Sequence, residues 1–124
     1  MKSEIEKMVK RINSSNEARR ILKENIFDQK VVIGTNEGES FTLEITHQNP
    51  TLRVKRGSVP FHMFRTVEIR MDKGLLISIL NGEESYSKHF VDGKVKAKGL
   101  LHVLMLMGRL FRINGDLARS HSIP

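Results

Sequence analysis

The sequence predicts a two-layer α+β domain, a five-stranded sheet with its helices packed on one face. Stretches such as 41–45 and 67–71 alternate apolar and polar side chains, so each strand is apolar on one side only and every helix must cover that side. The other apolar stretches repeat every three to four residues. They set the order as helices, three strands, a fourth strand, short helices, a fifth strand and a closing helix. No repeat, linker or low-complexity segment interrupts the 124 residues, a length that suits one domain over 1–124.

Taken in order, Ile5, Met8, Val9 and Ile12 have the spacing of an amphipathic helix, with Glu4, Glu6, Lys7, Lys10 and Arg11 outside. Ser14 with Glu17 reads as a capping box opening a second helix through Ala18, Ile21 and Leu22, so helices fill 1–26. Val31 to Thr35 and Phe41 to Ile45 form a hairpin about Asn36-Glu37-Gly38-Glu39. His47-Gln48-Asn49-Pro50 turns the chain into a third, antiparallel strand at Leu52 and Val54, which ends at Gly57-Ser58. Pro60 to Phe64 reads as a connection with Phe61, Met63 and Phe64 packed inward or lining an opening. Thr66 to Met71 is the fourth strand. Asp72 caps a short helix through Leu75, Leu76, Ile79 and Leu80 that closes at Asn81-Gly82. A second short helix, Ser85 to Val91, sets Tyr86 and Phe90 on one face and stops at Asp92-Gly93. The wet face of the sheet should show Thr42, Glu44, Arg53, Lys55, Glu68, Arg70, Lys94, Lys96 and Lys98.

The last stretch, Gly93 to Ile113, carries the functional clue. Gly93-Lys-Val-Lys-Ala-Lys-Gly99 is a strand with Val95 and Ala97 on one face and three lysines on the other. In the closing helix, Leu100, Val103, Leu104, Leu106, Met107, Leu110, Phe111 and Ile113 share one broad arc, opposite His102, Arg109 and Arg112. Leu101 and Met105 fall among the polar residues, where a core-facing helix carries Lys or Glu, so a ligand, a partner chain, a membrane surface or a neighbouring helix must cover them. Asn114-Gly115 reads as the helix stop, with a polar, frayed tail over 115–124.

Composition removes several classes of function. Without cysteine there is no disulfide, thiolate metal site or cysteine nucleophile. His47, His62, His89, His102 and His121 show no i, i+4 pair, and neither a phosphate loop nor a Gly-x-Ser-x-Gly elbow is present, so no metal, no cofactor and no catalysis are expected. The charged start lacks a signal-peptide segment and the apolar run near Leu100 is too short to cross a bilayer, which makes a cytoplasmic protein the expectation. A formal charge of +7 suits an anionic partner, yet the six Phe sit in apolar patterns rather than among Lys and Arg, which argues against nucleic acid.

From Thr66 to Leu110 the chain resembles the sterol carrier protein family. The likeness lies in the strand ending at Asp72, the leucine-rich helix closing on Asn81-Gly82-Glu83, the helix with Phe90, and Gly93-Lys-Val-Lys-Ala-Lys-Gly99 followed by a long apolar helix; Val31 to Glu44 resembles the opening hairpin. Leu100 departs from the Asp or Asn often found after that glycine. The resemblance implies a five-stranded mixed, mostly antiparallel sheet with helices on one face, an apolar tunnel between the layers for a sterol, fatty acid or acyl-CoA, and no shared catalytic residue. The candidate lipid-binding wall is Leu76, Ile79, Leu80, Phe90, Leu101, Leu104, Met105 and Phe111, against the alternative that these side chains only fill the core. Lys94, Lys96 and Lys98 are candidates for contact with an anionic headgroup or a membrane surface, against a solvent-facing charge row. A second class of function is an interaction module, with the closing helix as a homodimer seam.

Overall fold

The structure is a computed structural model and describes residues 1–25, 27–46 and 51–121. The elements are α1 (Lys2–Ser14), α2 (Asn16–Leu22), β1 (Gln29–Thr35), β2 (Ser40–Ile45), β3 (Leu52–Arg56), β4 (Thr66–Met71), α3 (Lys73–Leu80), α4 (Tyr86–Val91), β5 (Lys96–Lys98) and α5 (Leu101–His121). The strands lie in the order β3-β2-β1-β4-β5, with β1 and β4 parallel and every other pair antiparallel. The sheet is therefore mixed, mostly antiparallel and five-stranded, as expected. The helices pack against one another, and α1 also packs against β3.

Period-two alternation explains the layering. Val31, Ile33, Leu43, Ile45, Val67, Ile69 and Met71 are at most 1% exposed and join one core with Ile5, Met8 and Ile12 of α1 and Val103, Met107 and Leu110 of α5. Asn13 closes the seam between α1 and the sheet: its amide donates to the Leu52 carbonyl at 3.0 Å and accepts from the Leu52 N–H at 2.8 Å. Among the described residues no helix is long and apolar enough to cross a membrane.

Local chemistry departs from the sequence reading at five places. The cap of α2 is Ser15, whose hydroxyl accepts from Ala18 N at 3.1 Å; α1 runs on through Ser14, so the cap falls one residue later. Asp72 precedes α3 but its carboxylate accepts from the Asn36 amide, at 2.6 Å, and Glu37 from the β1–β2 turn takes the Lys73 N–H instead. The connection 57–65 does not pack inward. It carries the chain from β3 at the sheet edge to β4, crossing the helix-free face, so Met63 and Phe64 stay more than 60% exposed. The fifth strand shrinks to Lys96–Lys98, leaving Val95 buried and Ala97 exposed.

The fifth departure shapes the helical layer. Asn114-Gly115 does not end α5, which continues to His121. Asn114 is fully buried, donating to the Leu80 carbonyl at 3.0 Å and accepting from Arg11 at 3.2 Å, so its polar side chain is used across the layer rather than as a stop. Gly115 meets Gly82, whose φ of +79° closes α3; a side chain at Gly82 would press on the Gly115 carbonyl. The turn expected at His47–Pro50 lies outside the described residues, as does the tail beyond His121.

Candidate apolar ligand site

A groove opens between α4 and α5. From α5 it takes Leu101, Leu104, Met105, Gly108 and Arg109, spaced i, i+3, i+4, i+7 and i+8 and hence forming one stripe. From α4 it takes Tyr86, Ser87, Phe90 and Val91. The cavity is about 290 Å³ and opens to solvent, and Leu101 and Met105 are each 64% exposed along it.

Each wall has a local cause. The Ser85 hydroxyl caps α4 by accepting from Lys88 N at 3.2 Å, and His89, facing inward, bonds the Glu84 carboxylate at 2.8 Å and holds that carboxyl below its ordinary range. Tyr86 stacks on Phe111 with ring centroids 4.8 Å apart and on Phe90 at 5.9 Å. Gly108 faces the Tyr86 ring, where a Cβ would make an ordinary contact at 3.5 Å. The Tyr86 hydroxyl is buried without a hydrogen-bond partner among the described residues, and burial pushes its pKa up to about 12. At the far end Arg109 pairs with Glu24 at 2.9 Å, a bond that holds the Glu24 carboxyl low.

The candidate wall residues divide into two sets. Phe90, Leu101, Leu104 and Met105 line the groove. Leu76, Ile79, Leu80 and Phe111 are at most 2% exposed and sit in the core: the first three lie on the buried side of α3, which packs against α1 and α5, and Phe111 of α5 lies against the Tyr86 ring. Tyr86, Val91 and Gly108 complete the groove; the i, i+4 pair Tyr86 and Phe90 was the one visible sign of the α4 wall. Lys96 and Lys98 lie on the opposite, helix-free face of the sheet, and Lys94 precedes the strand. Among the described residues no group of three His, Asp or Glu side chains could hold a metal ion.

An α+β layer pair with an open apolar groove between α4 and α5 is the class these observations define. No family model matches the chain, and no curated protein does. Solved structures share its fold. A conserved hypothetical protein of Thermus thermophilus, described as possibly a sterol carrier protein, superposes with a TM-score of 0.67 at 13% identity, covering 97% of this chain and 87% of that one. A crystal structure of sterol carrier protein 2 gives 0.65 at 14% identity, with 94% of both chains covered. Palmitated SCP2L2 from Aedes aegypti gives 0.65 at 13% identity over 90% of this chain and 93% of that one. The chain thus has the sterol carrier protein fold.

Proposed function

We propose that the protein binds, and passes on, a lipid or similar long apolar ligand whose aliphatic part lies in the α4–α5 groove. The observation that carries the reading is the pair Leu101 and Met105, two large apolar side chains left open on the wall of a groove that Phe90 and Leu104 continue inward. A volume of about 290 Å³ lies at the small end of the range for ligand pockets, which suits a segment of a chain. The fold supports the same reading, and no catalytic residue is invoked.

The test is titration with a fluorescently labelled stearate, followed by displacement with palmitate. Saturable binding is expected, weakened about tenfold or more by Leu101→Glu or Met105→Glu, since each buries a charge against the acyl chain. Both positions are exposed, so the fold should survive. Binding that never saturates, or that ignores both substitutions, would sink the reading. So would a stable dimer in which a second copy covers Leu101 and Met105.

A further inference from the structure

The helix-free face of the sheet holds a second concavity with the opposite chemistry. A cleft of about 410 Å³ lies between the β1–β2 turn, the crossover at Ser58 and Val59, and the side chains of Arg70, Lys96 and Lys98. Pairing register sets Ser40, Gly34, Arg70 and Lys96 in one row across four strands, with Val32, Glu68 and Lys98 in the next. Gly34 leaves the floor bare, and the Arg70 guanidinium lies across it, 3.8 Å from where a Cβ would stand.

Three cations converge here with little to balance them. Among the described residues, none of Arg70, Lys96 and Lys98 has a carboxylate within ion-pair distance, and Lys98 sits 4.0 Å over the Phe61 ring. The Glu39 carboxylate at the rim is engaged by Lys73 at 2.5 Å, which leaves Glu68 as the cleft's one free acid among the described residues. The remaining excess of two positive charges matches a phosphate dianion, and a concave wall of one sign focuses the field. A guanidinium fork also fits phosphate oxygens in pairs, with the Ser40 and Ser58 hydroxyls near to share them.

We propose that this cleft binds a small organic phosphate monoester, held by Arg70, Lys96 and Lys98. The site lies across the sheet from the apolar groove and does not depend on that groove's function.

The full chain, labelled with nitrogen-15, is titrated at fixed ionic strength with glycerol 3-phosphate, with inorganic phosphate, and separately with phosphatidic acid vesicles. Saturable amide shifts are expected at Gly34, Ser40 and Lys96 to Lys98, stronger with the ester than with inorganic phosphate. R70Q should weaken binding about tenfold, the loss of one charge-assisted contact. K55Q, on the same face but paired with Glu44 at 2.8 Å, should leave binding unchanged, as should labelled stearate in the groove. Shifts that grow without saturating, an equal loss with K55Q, equal affinity for inorganic phosphate, or binding to vesicles alone would each overturn the proposal.

Discussion

Tyr86 is the one tyrosine in a chain without tryptophan, so its phenol can be followed by ultraviolet absorbance with no other residue in the way. Burial raises the folded pKa to about 12 from 10.0. The folded chain therefore keeps this proton longer than the unfolded one. The corresponding stability is fully present below the unfolded value and is lost as pH rises toward the folded one. The expected absorbance titration has its midpoint near 12 in buffer and near 10 in denaturant. A folded midpoint near 10 would mean that the ring beside the groove is solvated. Leu101 and Met105 teach a related lesson about single residues. Their apolar character at positions where the helix should be polar was visible in the sequence, because a period near 3.6 assigns each residue a direction. What period cannot assign is the neighbour: Leu76, Ile79 and Leu80 have the same composition and proved to be core, since α3 lies between two other helices.

At the level of elements, α1 was legible from its helical spacing, β1 from its β-branched run, and β2, β3 and β4 from their strict alternation. The crossover 57–65 was not. Its course depends on β4 adding beside β1 rather than beside β3, a choice made by tertiary packing that no local pattern records. The length of α5 failed for a related reason. Asn114 and Gly115 are stop residues in isolation, but here one bonds the end of α3 and the other makes room for it. Asn114→Ala tests which effect governs the helix. Alanine gains up to about 0.7 kcal/mol in helix propensity. Leaving the buried Leu80 carbonyl without its donor costs about 1–3 kcal/mol. The urea midpoint is expected to fall, by the equivalent of about 1 kcal/mol net. A rise would show that the bond to Leu80 contributes nothing.

Across the whole molecule, carboxylates bind separate parts together. Glu24 joins the turn after α2 to α5, Glu39 joins the β1–β2 turn to α3, and Glu44 joins β2 to β3. Hydrogen bonds from Arg109, Lys73 and Lys55 hold all three below the ordinary 4.5. Each depressed carboxyl adds stability that is present above the unfolded value and is lost as pH falls through the folded one. The melting temperature should therefore drop as pH goes from about 5 toward 3, and the combined variant Glu24→Gln, Glu39→Gln, Glu44→Gln should flatten that slope. An unchanged slope would assign the acid sensitivity elsewhere. The two borders of the sheet carry a consequence of another kind. An unpaired strand is a template on which copies of a chain can zip into fibres. Here one border ends in three residues, Lys96 to Lys98, and the other shows Arg53, Lys55 and Arg56 while Asn13 already occupies the outward groups of Leu52. Crowded copies would meet like charge and an occupied backbone, which favours staying dispersed at high concentration.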